Sequence, residues 1–280
     1  MILVIGASGR VGGVALSHLR ARGVPVRAFV RETSAALLPD IEVVRGDLTV
    51  ASSLEPALDG VDTVLLIWKQ ITAEHPEAAI EVISRHARRV VYISSLSVRD
   101  DLEVQAHPMS AVHAGIERAI ADSVPSWTVL RSGWFMANVR MWADELRATG
   151  AVRLAYPLAR RSPVDRRDVG EVAAAVLTGD GFDGRTLIVS GPERLTDVDL
   201  IAAIGRAAGR PYRVEEIDVE TARLEMIRDG LSPELTDAAL AYWRRLVDVP
   251  EAVTSTVADV TGHPARTFAA WAAEHAADFV

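Results

Sequence analysis

The sequence predicts an α/β protein built on a doubly wound parallel sheet, followed by a smaller and mostly helical region. Three observations carry this. Short, continuous apolar runs recur at residues 1–5, 24–30, 41–44, 61–67, 90–93 and 127–130, as expected of strands buried on both faces. The stretches between them are amphipathic: Val11, Ala15, Leu16 and Leu19 fall on one helical face, and Ala78, Ala79, Val82 and Ile83 on another. Finally, a glycine-rich turn stands between the first strand and the first helix.

After about residue 133 the rhythm changes. Helical spacing dominates at 134–148, 168–177 and 197–208, around two strand candidates, 151–155 and 186–190. The last 60 residues read as short helices broken at Gly230, Ser232-Pro233, Pro250 and Pro264. We therefore expect a nucleotide-binding domain over 1–132, to whose sheet a strand at 185–190 returns, and a discontinuous, mostly helical substrate region over 133–280. No internal repeat or low-complexity linker separates the two, so the cap is expected to dock on the sheet.

Composition narrows the function. With 280 residues, 49% hydrophobic and 24% charged, the chain can bury a large core. It has no cysteine, which excludes disulfides, thiolate metal sites and a cysteine nucleophile and fits a cytoplasmic address. A net charge of −8 argues against nucleic acid as the partner. The apolar start reaches Gly6 after five residues without a basic lead-in, so it is read as a strand and not a secretory leader. No apolar run approaches the ~18 residues of a membrane span. The seven histidines are scattered, and His-Glu-x-x-His, Gly-x-Ser-x-Gly and Gly-Lys-Ser/Thr motifs are all missing, so no metal site, nucleophile elbow or nucleotide-triphosphate loop is expected.

The loop itself reads Gly6-Ala7-Ser8-Gly9-Arg10-Val11-Gly12. Gly6 permits a tight turn, Gly9 lets backbone approach a diphosphate, and Gly12 allows close helix-to-strand packing. The free amides and positive dipole end of the helix then face the phosphates. This pattern, placed between strand and helix, is the dinucleotide fingerprint of the Rossmann fold. Arg31 ends the second strand where a ribose 2′-phosphate would be read, and Arg10 projects from the loop, so NADP is expected over NAD; the neighbouring Glu32 keeps NAD open. Asp47, beside Leu48, would either accept from the adenine amino group or shape a turn.

These residues resemble the NmrA-like branch of the atypical short-chain dehydrogenases/reductases. The likeness runs through the glycine loop, Val30-Arg31, Arg45-Gly46-Asp47-Leu48, Val91-Tyr92-Ile93-Ser94-Ser95 and the stretch from Trp127 through Arg131-Ser132-Gly133-Trp134-Phe135-Met136-Ala137-Asn138. Val164-Asp165-Arg166-Arg167-Asp168-Val169-Gly170 and Ser190-Gly191-Pro192-Glu193 continue it along nearly the whole chain. The resemblance implies an NAD(P)-binding domain with a discontinuous substrate region. Members of this family include quinone and other small-molecule reductases, and dinucleotide-binding redox sensors without catalysis.

Ordinary members of the superfamily use a Tyr-x-x-x-Lys pair, which this chain lacks. The matching stretch is His113-Ala114-Gly115-Ile116-Glu117. Its four-residue spacing puts both side chains on one helical face, so Glu117 is expected to raise the pKa of His113 and make it a general acid; an ordinary surface ion pair is the alternative. Ser94 and Ser95 close the fifth strand, where one hydroxyl would hold a carbonyl or the nicotinamide amide, and Ser97 lies in range. Lys69, after Ile67 and Trp68, is a reserve proton donor or a solvated loop residue. Gly133, Trp134 and Phe135 are expected beside the nicotinamide, with Trp68, Trp134, Met136, Met141 and Trp142 forming an apolar substrate wall.

Together these features predict an NAD(P)H-dependent oxidoreductase, monomeric or homodimeric, that transfers hydride to a small apolar acceptor such as a quinone, enone or ketone. The alternatives are a non-catalytic redox sensor and an isomerase or epimerase that retains its cofactor.

Overall fold

The computed structural model describes residues 1–32, 41–68 and 76–280. The first half alternates strand and helix: β1 (Ile2–Ile5), α1 (Arg10–Ala21), β2 (Val26–Val30), β3 (Glu42–Arg45), α2 (Glu55–Leu58), β4 (Thr63–Ile67), α3 (Pro76–His86), β5 (Arg89–Ser95), α4 (Pro108–Ser123) and β6 (Ser126–Ser132). A 3-10 stretch, Met136–Trp142, then leads into α5 (Ala143–Thr149) and β7 (Ala151–Leu154). Next come α6 (Arg166–Thr178), β8 (Arg185–Val189), α7 (Asp197–Ala208) and β9 (Arg213–Glu216). The chain finishes with α8 (Val219–Arg228), α9 (Pro233–Asp248), α10 (Thr256–Thr261) and α11 (Phe268–Glu274).

Seven strands form one sheet in the order β3-β2-β1-β4-β5-β6-β8, every pair parallel. Strand periodicity sends alternate side chains to opposite faces. Val4, Ala28, Leu65, Val91 and Leu130 pack under α1 and α6, while Leu3, Phe29, Leu66, Tyr92 and Val129 pack under α2, α3 and α4. Both faces are covered, which is why the strands read as unbroken apolar runs.

Strand order reverses between β1 and β4, which lie side by side although the chain visits β2 and β3 between them. The crevice at their carboxyl ends is where such sheets bind ligands. A third cluster, including Trp142, Leu146, Leu200, Phe268 and Trp271, forms the core of the carboxyl-terminal region.

Two elements differ from the sequence expectation. The helix predicted over 134–148 starts late, because the Val164 amide donates to the Trp134 carbonyl and the Met136 amide to the Val164 carbonyl, holding Phe135 in an extended bridge to Val164. β9 carries no apolar signature: of Arg213-Val214-Glu215-Glu216 only Val214 is apolar. It forms through edge pairing with β7 in a two-stranded sheet. Among the described residues, no helix is long and apolar enough to cross a membrane.

Candidate active site

At the reversal point the chain turns sharply. Gly6 has φ +86, a left-handed conformation that favours glycine. A Cβ on Gly12 would lie 2.3 Å from the Gly6 carbonyl oxygen, so α1 starts closer to β1 than any side chain allows. The Gly9 amide donates to Gly6 O (2.9 Å) and its side of the helix has no side-chain cap. The amides of Arg10, Val11 and Gly12 are left without intrahelical acceptors at the positive end of α1.

Above this turn lies a cleft of about 650 Å³. Gly6 and Ser8 to Gly12 line its floor, with Ile67, Trp68, Ser94, Ser95, His113, Gly133, Trp134 and Phe135 around it. A smaller recess of about 90 Å³, lined by Phe29, Arg31, Asp47 and Leu48, shares Gly6, Ser8 and Ile67 with the cleft. The two hollows thus flank the same glycine turn, an arrangement that suits an extended dinucleotide.

Positive charge gathers at the same place. Arg166, the first residue of α6, lies over the Phe135 ring at 5.1 Å. Among the described residues neither it nor Arg10 forms an ion pair with a carboxylate. Burial, then the charges of Arg10 and Arg140, push the Arg166 pKa below its ordinary value. Arg10 and Arg166, close together and outside any ion pair among the described residues, suit a bound anion, and a diphosphate over the loop amides would supply it.

The proposed Arg10–Arg31 clamp is not what the fold assembles. Arg10 lines the main cleft and Arg31 the smaller recess; Arg10 is grouped with Arg166 instead, because α6 packs along α1. Asp47 takes the turn-forming role: its Oδ1 accepts from the Thr49 amide (2.9 Å) and hydroxyl (2.8 Å), and these bonds hold its carboxyl below the usual range.

The pairing of His113 with Glu117 is also overturned. Glu117 Oε1 accepts from Ser94 Oγ (2.5 Å) and Arg131 Nε (3.1 Å), and Oε2 from Arg131 Nη2 (2.6 Å). A buried carboxylate takes the strongest cationic donor in reach, and that is Arg131 on β6. His113 instead sits against the Tyr92 hydroxyl, 2.5 Å from its Nδ1. Burial lowers its pKa to about 4, so the ring is neutral at physiological pH and cannot serve as an imidazolium acid there.

Ser94 is committed to Glu117, which leaves Ser95 as the freer hydroxyl of the pair. Ser95 Oγ lies 2.8 Å from Ser97 Oγ, to which Ser110 also donates at 2.8 Å. Lys69 falls outside the described residues.

The lining of the cleft differs from the expected substrate wall. Met141 is 69% exposed. Met136 and Trp142 belong to the third core, with Trp142 backing Trp134 at 6.0 Å between ring centroids. On its outer side the cleft is lined by Tyr242 and Trp243 of α9, with Arg161 and Glu251. The Arg161 guanidinium stands 5.4 Å from the Trp134 ring and 5.5 Å from that of Trp243, and pairs with buried Asp197 (3.1 Å). Desolvation raises the Asp197 pKa. Tyr242 donates to Glu251 Oε1 (2.8 Å), whose Oε2 accepts from the Ser162 amide (2.8 Å). These residues carry no motif. Only Arg166, inside the stretch 164–170, had a local signal, and that signal did not reveal its role.

A glycine turn at the crossover of a parallel sheet, with uncompensated arginines above it and an aromatic cleft beside it, defines a nicotinamide-dinucleotide-binding protein. The chain belongs to the NAD(P)H-binding family, whose model matches residues 6–180. It is 37% identical over 283 residues to a (4-alkanoyl-5-oxo-2,5-dihydrofuran-3-yl)methyl phosphate reductase of Streptomyces griseus, covering 100% of this chain and 99% of the relative. An NAD(P)H azoreductase of Xenophilus azovorans is 32% identical, at 100% and 99% coverage. In fold the chain is similar to an NADPH-dependent quinone oxidoreductase of Escherichia coli solved with NADPH (TM-score 0.83, 22% identity, 98% and 99% coverage). The chain is thus an NAD(P)-dependent oxidoreductase of the kind the NmrA-like resemblance implies.

Proposed function

We propose that the protein is an NADPH-preferring reductase of small, largely apolar acceptors: quinones, enones or ketones. The observation that carries this reading is the single cleft in which the glycine turn, the neutral His113 and the indoles of Trp134 and Trp243 meet. The preference for NADPH rests on Arg31 in the adenosine-side recess, and the name of the NADPH-dependent quinone oxidoreductase agrees with it.

When bound, the cofactor supplies a hydride from nicotinamide C4. The chain's own residues do the rest. The amides of residues 10–12 with Arg10 and Arg166 would hold the diphosphate, and Phe135 and Trp134 would line the nicotinamide end of the cleft. Trp243 and Trp68 give the acceptor an apolar wall to lie against. His113 donates a hydrogen bond to the acceptor oxygen, and Ser95 assists from the β5 end. A quinone or enone needs little protein acid, so the product oxygen can collect its proton from water. A soluble, cytoplasmic enzyme acting on a small molecule is the setting this implies.

The test is NADPH oxidation, followed by absorbance, against a panel of quinones, enones and ketones, with His113→Ala alongside. Turnover of at least one acceptor class, with kcat reduced about tenfold or more in the variant, is expected. No oxidation of NADPH by any acceptor would defeat the reading, and unchanged kcat in His113→Ala would remove the histidine from it.

A further inference from the structure

We infer that Tyr92 is a positioning residue that fixes His113 as the Nε2–H tautomer, turning the imidazole into a neutral hydrogen-bond donor aimed at acceptor chemistry. The inference deepens the proposed function and rests on its placement of His113 against the acceptor.

Tyr92 stands in the middle of β5, fully buried at 0% exposure in the core under α4. Its hydroxyl is 2.5 Å from His113 Nδ1, and the two rings tilt at 43° with centroids 5.8 Å apart. Two arrangements of protons fit such a contact. If Nδ1 carried the hydrogen and donated to the phenol, the tyrosine's own proton would be left in apolar surroundings. Among the described residues, Nδ1 is the one hydrogen-bond acceptor the structure sets against that hydroxyl. An orphaned buried donor costs about 1–3 kcal/mol, so the other arrangement wins: Tyr92 O–H donates and Nδ1 accepts.

The remaining facts agree. Burial pushes the Tyr92 pKa well up, with Glu117 adding to the effect, so the phenol keeps its proton. Burial also keeps the imidazole from gaining a second one. With Nδ1 occupied on the sheet side, Nε2–H is the polar group His113 has left, and His113 lines the cleft. A neutral imidazole in this state polarises a carbonyl and steadies the oxyanion without surrendering its proton. The hydride adds to the acceptor and the proton comes from water, so neither Tyr92 nor His113 changes its net protonation through the cycle.

Two-bond proton–nitrogen correlation spectra of histidine-labelled full-length protein at pH 7, with saturating NADP, read this directly. The wild type is expected to show a pyridine-like Nδ1 and a pyrrole-like Nε2 at His113. Tyr92→Phe is expected to shift the ring to a tautomer mixture and to lower kcat about tenfold, leaving KM for the acceptor and Kd for NADPH within about twofold. A wild-type His113 protonated at Nδ1, or a Tyr92→Phe variant with the same tautomer and the same kcat, would overturn the inference. The spectra do not depend on turnover, so they decide the point even where no acceptor is reduced. The wild-type spectrum alone decides it should Tyr92→Phe fail to fold.

Discussion

His113 illustrates how a residue's chemistry is set by what surrounds it. Its ordinary value is 6.5, and burial takes it to about 4 in the fold. Between these values the unfolded chain binds a proton that the folded one refuses, so this histidine makes stability fall as pH drops from about 6.5 to about 4. The contribution is fully present above about 6.5 and lost below about 4. A shift of this size corresponds to an upper bound of roughly 3 kcal/mol. Urea unfolding at pH 7 and pH 4 should therefore show a smaller acid-induced loss in His113→Gln than in the wild type. Equal losses would mean that the ring is not desolvated.

At the scale of elements, Glu117 and Arg131 join α4 to β6. The guanidinium also reaches Asp100 through Nη1 (2.9 Å) and Nη2 (2.6 Å), closing the loop that follows β5 onto the same strand end. Removing one partner of a buried pair leaves the other charge stranded, at a cost of about 3–5 kcal/mol. Glu117→Ala is expected to lose stability of that order by thermal or denaturant unfolding. A normal midpoint with an altered pH–rate profile would instead show that Glu117 acts on His113. The helix periodicity in 113–117 was legible and correct, but periodicity says only that two side chains share a face. Arg131, distant in sequence and brought close by the β5–β6 pairing, decided where the carboxylate went.

For the molecule as a whole, the cleft lies between the sheet edge and the carboxyl-terminal helices, and each side has separate work. The sheet side carries the glycine turn, and α9 carries Tyr242 and Trp243. Trp243→Ala should therefore raise KM for the acceptor by about tenfold, the order expected for losing one aromatic contact, while Kd for NADPH measured by fluorescence titration stays within about twofold. Equal loss of both would mean that α9 braces the cofactor half as well. The division at residue 132 into a nucleotide domain and a substrate region remains our proposal. It matches this split of labour, although β8 from the later part pairs with β6 inside the main sheet.

The sequence by itself determined the parallel sheet, the glycine turn and the family. Those features are local or periodic: apolar runs, a 3.6-residue repeat, and glycines at positions where a Cβ has no room. The tertiary structure alone decided that Glu117 serves Arg131, that Tyr92 holds His113, that Arg10 joins Arg166, and that Trp243 instead of Met141 walls the cleft. Each of these depends on residues that meet only after distant segments pack, and on burial, which sets the charge of a group and leaves no mark in the local sequence.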